Sequence, residues 1–326
     1  MSNQDTKAAA ETLAALYHNA DKGSLEEQMI YVSRNLMPRL MAPMAPQMGI
    51  SAETSTPVAL LDNACGTGVF MDQVQQTLTK EVLEKSTFVC ADNGDGMVSL
   101  SKRRAEMEGW VNTEVKKLDA MNTGLAENTF THVGIGLALH IIPNPDAVLA
   151  DCKRILKSGG IFGATTFHKA NTFWIPDMRS AFKSFPFEAP FPNEVKMQMH
   201  DQGDWTTPEW IEEHLKEQGF ADVQVKNDSR SYCMKSAEEY VMTFGIMLSW
   251  LMNTWWSEET RREHSVEEVR ELIRKHLEDN PDMIAYILVD DLQPLLFDQL
   301  SPGGLVLGSV IRTSSMLHGA TPKNPD

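Results

Sequence analysis

The chain has 326 residues, enough for one large domain or two and for a sizeable buried core. Its 42% hydrophobic and 23% charged residues are an ordinary globular composition, and 45 acidic against 29 basic residues leave a formal net charge of −16. Such a surface repels phosphate backbones, and the longest basic run, Lys102-Arg103-Arg104, is expected on the solvated face of a helix, so nucleic acid is excluded as a partner.

The start, Met1-Ser2-Asn3-Gln4-Asp5, lacks the basic and apolar regions of a signal peptide. The longest apolar stretch, about Phe244 to Met252, falls short of the roughly 20 residues that span a bilayer. Cys65, Cys90, Cys152 and Cys233 show no C-x-x-C pairing and read as reduced, mostly buried thiols. A cytoplasmic protein without a membrane partner is expected.

Residues 1–50 are predicted helical and form the first unit; residues 51–326 form the second. Ala8 to Leu16 is one amphipathic run, and Leu25 to Met48 is another, broken by Pro38, Pro43 and Pro46. Met29, Met37, Met41, Met44 and Met48 lie in the second run. Methionines at helical spacing fill cores. The alternative is a helical cap over a ligand mouth, with Tyr31 among its contacts to substrate.

Val58-Ala59-Leu60-Leu61 then reads as a buried parallel strand bounded by Pro57. It ends in Asp62-Asn63-Ala64-Cys65-Gly66-Thr67-Gly68, after which Val69 opens a helical pattern through Leu78. Gly66 and Gly68 allow positive φ and close approach of a ligand to the backbone. A dinucleotide fingerprint requires a third glycine, which is missing, and here an acid ends the strand before the turn. That arrangement suits a ligand with an ammonium group and no pyrophosphate.

Thr87-Phe88-Val89-Cys90-Ala91 is a second strand, ending at Asp92, where a carboxylate accepts hydrogen bonds from ribose hydroxyls. Val115-Lys116-Lys117-Leu118 is a third, ending in Asp119-Ala120. Taken singly, each Asp could be a helix cap or turn former. Together they put three acceptors along the carboxyl edge of one sheet, where open α/β sheets bind ligands.

The fourth strand runs from Thr129 to Gly136 and leads into Leu137-Ala138-Leu139-His140. Asn144-Pro145-Asp146 starts a helix that runs to Leu156 and stops before Gly159-Gly160. Ile161 to Thr165 is the fifth strand, followed shortly by His168. Residues 168–204 hold four prolines and several aromatics and are expected to be a loop-rich insert. Thr207-Pro208 caps a helix reaching Gln218. Ala221 to Val225 is the sixth strand, residues 228–300 form a helical insert, and Gly304 to Ile311 is the last strand.

These residues carry a resemblance. Asp62 to Gly68 is similar to the D-x-G-x-G-x-G motif of class I S-adenosylmethionine (SAM) methyltransferases, with Ala64 in place of the first glycine. Arg154-Ile155-Leu156-Lys157-Ser158-Gly159-Gly160 resembles the R-x-L-K-P-G-G turn of the same family. Glu108-Gly109-Trp110-Val111-Asn112 and Phe173-Trp174-Ile175-Pro176 look like fungal secondary-metabolism members, in particular the gliotoxin thiomethyltransferase group. The similarity runs from about residue 55 to 311. It implies a Rossmann-like seven-stranded, mostly parallel sheet of order 3-2-1-4-5-7-6 with a helical cap. It also implies SAM as cofactor and S-adenosylhomocysteine as product. Asp62 would hold the methionine end, Asp92 the ribose, Asp119 the adenine amino group and Met97 the adenine ring. Asn63, Ala64, Gly66, Gly68, Ala120 and Leu137 complete the cofactor set, and Trp174 is assigned to substrate.

In-line attack on a sulfonium methyl is accelerated chiefly by aligning the reactants in a dry pocket. A base is optional for a thiol, which ionises near pH 8.5. His140 and His168 follow central strands and are the candidate catalytic residues, each alternatively a loop histidine satisfied by backbone. No metal-ligand spacing, P-loop or nucleophile elbow is present. The expected activity is S-, O- or N-methylation of a small molecule by a monomer or homodimer. The alternatives are a regulatory protein with a methyltransferase-like fold, or a SAM-binding catalyst of a non-methylating reaction. Intact Asp62, Gly66, Gly68, Asp92 and Asp119 disfavour a degenerate domain.

Overall fold

A computed structural model describes residues 3–169, 174–229, 234–280 and 306–314. Four helices lead, α1 (Asn3–His18), α2 (Gly23–Asn35), α3 (Met37–Met41) and α4 (Met44–Gln47), with Pro38 in the first turn of α3. Then come β1 (Ala59–Asn63), α5 (Val69–Thr77), α6 (Lys80–Lys85), β2 (Thr87–Asp92), α7 (Asp95–Glu108), β3 (Thr113–Lys117) and β4 (Phe130–Gly136). After these lie α8 (Pro145–Ile155), β5 (Leu156–Thr165), α9 (Ile175–Lys183), α10 (Pro208–Glu217) and β6 (Ala221–Ser229). The chain continues through α11 (Ala237–Trp255), α12 (Glu258–Glu263) and α13 (Val266–Asp279) to β7 (Val306–Ser314).

The strands form one sheet in the order β3-β2-β1-β4-β5-β7-β6. Neighbours from β3 to β5 pair in parallel, and β7 is antiparallel to both β5 and β6. This is the Rossmann-like order that the resemblance implied. Both faces are buried, which is why the central strands read as continuous apolar runs. Leu60 and Leu61 alternate between them: Leu60 joins the core under α5, Leu61 the core under α8 and α10.

Several local expectations change. The fifth strand begins at Leu156 rather than Ile161, and its register jumps from Phe130↔Leu156 to His132↔Ile161. The glycines of the 154–160 turn serve this bulge, with Gly159 at φ 75°. The loop-rich insert contains α9. Thr207 makes no side-chain cap on α10; its hydroxyl donates to Asp204 Oδ2. Arg104 is buried, not solvated: it pairs with Asp72 of α5 at 2.7 Å and with Glu108 at 3.0 Å. Cys65, Cys90 and Cys152 are free and buried, whereas Phe173, Cys233 and residues 281–305 lie outside the described residues.

Both readings of the methionine run describe part of it. Met41, Met44 and Met48 press onto the sheet where β4 and β5 lack side chains. A Cβ on Gly136 would stand 2.7 Å from Met41 Cε, one on Gly134 2.6 Å from Met44 Cε, and one on Gly163 would collide with Met48. Glycines in mid-strand here make room for α3 and α4. Met29 and Met37 line the cavity described next, and Met41 reaches both the sheet and the cavity.

Candidate active site

Strands β1, β2, β4 and β5 end beneath α1, α2 and α11, and the space between is a cavity of about 1490 Å³. A single drug-sized ligand occupies roughly 300–1,000 Å³, so two reactants fit together. Helix phase decides which residues of α2 face it. Met29, Val32 and Ser33 of α2 and its C-cap Leu36 recur at helical spacing and line the wall. Tyr31 is out of phase with them and lies outside the lining, its hydroxyl directed to Glu239.

The glycine turn presents Ala64, Cys65, Gly66 and Thr67 to the cavity. Gly66 has φ 55°, and a Cβ there would meet no atom within 4 Å. It would instead fill the cavity itself, as a backbone cradle for a ligand requires. Ala64 (φ 57°) and Leu137 (φ 53°) take the same left-handed conformation at the ends of the adjacent strands β1 and β4. Each costs about 1–2 kcal/mol for a residue with a Cβ, and such strain gathers at ligand sites.

Asp92 stands beside the turn. Its Oδ2 accepts from Gly66 N and its Oδ1 from Gly94 N, both at 2.9 Å. The carboxylate therefore keeps acceptor capacity for a ligand hydroxyl. Burial raises its pKa, and the amides of Gly94, Gly66 and Asn93 oppose that rise. Met97 also lines the cavity. So does Tyr17 of α1, which the sequence reading missed; burial, and then the Asp92 charge, push its phenol up to about 12. No local pattern marks Tyr17, since only packing of α1 on α7 brings it there.

Five of the expected cofactor residues are not in the cavity lining. Asp62 is buried behind the turn, where Oδ2 accepts from Met71 N at 3.2 Å in the first turn of α5. It thus caps a helix from a distant position, and burial raises it to about 8. Asn63 is buried with its amide toward Cys152 Sγ. Gly68, at φ 75°, faces Trp110, whose ring carbon Cη2 would be 2.5 Å from a Cβ there. Asp119 is exposed, and its Oδ1 accepts from Met121 N in its own turn. Ala120 is buried in the core under α8.

On the opposite wall, Trp174 lines the cavity, and its carbonyl accepts from Tyr240 Oη at 2.6 Å. His168 lines it too. His140 is 1% exposed, with Nδ1 3.2 Å from Thr166 Oγ1 and its ring edge-on to Phe167. Burial, aided by His200, lowers it to about 3, so it is neutral at physiological pH. Phe167, Val195, Met199, Phe244, Ile246 and Trp250 make the rest of this wall largely apolar. Thr243 Oγ1 of α11 is buried in it without a hydrogen-bond partner.

Among the described residues no group of three or more His, Cys, Asp or Glu could hold a metal ion. Among them, too, no helix is long and apolar enough to cross a membrane.

Residues 61–164 match the family described as a methyltransferase domain. The chain is 28% identical over 228 residues to methyltransferase tpcH of Aspergillus fumigatus, covering 70% of this chain and 80% of that protein. Methyltransferase ktnA of Aspergillus niger is 28% identical over 234 residues, 67% and 76% of the two chains. Acetylaranotin bis-thiomethyltransferase of Aspergillus terreus is 25% identical over 231 residues, 71% and 78% of the two chains.

Proposed function

We propose that this chain acts as a class I SAM-dependent methyltransferase of the fungal secondary-metabolism type, and that its acceptor is a hydrophobic small molecule with a thiol, or secondarily a hydroxyl, as the methylated group. One observation carries the reading. The cavity has an open backbone cradle and a free-edged carboxylate at one side and an apolar, aromatic wall at the other.

The residues present suit the cofactor. Gly66 leaves space where a Cβ would project, Asp92 offers acceptors for ribose hydroxyls, and Met97 and Leu137 supply apolar contacts. Asp62 acts from behind, holding the α5 N-terminus and so the turn. When bound, SAM supplies an electrophilic methyl on a sulfonium. The protein's own contribution is alignment and exclusion of water. Trp174 and Phe244 cover the apolar body of the acceptor, and His140, neutral before reaction, accepts a hydrogen bond from its X–H group. A thiol suits so weak a base, because it ionises readily by itself. The S-methylating activity named for the Aspergillus terreus relative supports the same choice. His168 lines the mouth and is the second candidate. Residues 1–50 serve as the cap, through α1 and α2.

Calorimetry with SAM and S-adenosylhomocysteine tests the cofactor half. Incubation with SAM and a metabolite extract, followed by a mass search for a gain of one methyl, tests the other. Binding without any methylated product would refute the activity, and a methylated amine as sole product would refute the acceptor class.

A further inference from the structure

The cavity wall below β4 and β5 holds two histidines whose protons can be located from their partners. His200 Nε2 lies 2.9 Å from the Leu139 carbonyl, which can only accept, so Nε2 carries a hydrogen. Its Nδ1 accepts from Gln202 N at 3.3 Å. His200 is therefore neutral, in the Nε2–H form.

His140 is held the opposite way. The Thr166 hydroxyl has one proton and donates it to the Trp205 carbonyl at 2.9 Å. Towards His140 Nδ1, 3.2 Å away, that oxygen can then only accept. Nδ1 must supply the hydrogen. His140 and Thr166 are each 1% exposed and Trp205 is fully buried, so little solvent competes for these bonds. The Phe167 ring, edge-on to His140, takes no proton from Nε2.

We propose that Thr166 is a positioning residue that fixes His140 as the Nδ1–H tautomer, so that Nε2 presents its lone pair to the X–H of the methyl acceptor. The role toward the acceptor rests on the functional reading above; the tautomer does not. In a methyl transfer the carbon–sulfur pair would leave with sulfur as X bonds the carbon; the X–H pair would stay on X, and His140 Nε2 would take the proton. The other tautomer would turn an N–H toward the acceptor and block that transfer. Which nitrogen of a histidine is protonated follows from the hydrogen bond made by the other.

The test begins with cofactor-free protein labelled with ¹⁵N-histidine, whose long-range ¹H–¹⁵N correlations distinguish the two tautomers. His140 is assigned by its absence in His140→Gln, and His200 serves as the internal Nε2–H reference. His140 should show the Nδ1–H pattern. Thr166→Val, which keeps shape and removes the hydroxyl, should abolish it, and Thr166→Ser should retain it. If Thr166→Val does not fold, Thr166→Ala replaces it. With a hydroxyl acceptor, which needs the base, kcat should fall by about 10²-fold in Thr166→Val, at unchanged KM for SAM, and recover in Thr166→Ser. An Nε2–H pattern at His140 in the wild type, or an unchanged pattern in Thr166→Val, overturns the proposal. The expected tautomer without any methyl transfer counts against the functional reading and leaves the relation of Thr166 to His140 standing.

Discussion

Ser33 Oγ lies 2.6 Å from Thr67 Oγ1, which joins helix α2 of the cap to the middle of the glycine turn. Ser33 spends its own proton on the Met29 carbonyl, at 2.5 Å, so Thr67 is the donor between the two. Both residues line the cavity. The α2 wall of the cavity and the glycine turn are thereby coupled by one hydrogen bond.

Thr67→Val should cost about 1 kcal/mol of stability, the ordinary net worth of a buried hydrogen bond. Ser33→Ala should cost a similar amount. Because one bond links them, the double variant should lose less than the sum of the singles, which denaturant titration of all four proteins would measure. Additive losses would mean that the bond does not form in solution.

Asp92→Ala should weaken SAM by about 2–4 kcal/mol, the loss of charge-assisted hydrogen bonds from ribose hydroxyls. Gly66→Val should fold yet bind no cofactor, since the new side chain would project into the cavity from a left-handed backbone. Circular dichroism and calorimetry on the same samples decide both. Unchanged affinity in Asp92→Ala would remove the ribose assignment.

Asp62 makes stability depend on pH in a definite direction. Folding raises it from an ordinary value of about 3.9 to about 8, mainly by burial. Between these values the folded chain holds a proton that the unfolded chain has released. The stabilisation linked to that proton is complete below about pH 4 and is lost as pH rises through about 8. Asp62→Asn has no such proton. The Tm of the wild type relative to this variant should therefore fall steadily from pH 5 to pH 9. A constant difference over that range would show that Asp62 is ionised throughout.

Gly163→Ala should destabilise by about 1–3 kcal/mol, because its methyl meets Met48 in a filled core. Met48→Ala in the same chain should recover part of that loss, although alone it costs about 2–5 kcal/mol. Thermal unfolding of the two singles and the double measures the coupling. Full additivity would place Met48 away from the sheet.

The order of strands and helices, the turn after β1 and the acid at the end of β2 were legible without coordinates. They depend on short-range facts: apolar runs long enough for buried strands, glycines where the backbone turns left-handed, and helix starts marked by Asn144-Pro145. The phase of Tyr31 against Met29, Val32 and Ser33 was also there to be read, and it puts Tyr31 outside the cavity. Tertiary packing decided the rest. Three acids close three strands, yet Asp92 faces the cavity, Asp62 caps α5 from behind, and Asp119 turns to its own loop. Tyr17, Thr166 and His200 enter the site, and Arg104 leaves the surface, through contacts between segments far apart in the chain. Burial and the position of a proton are set by those partners, and a linear pattern carries no record of which partner a side chain will meet.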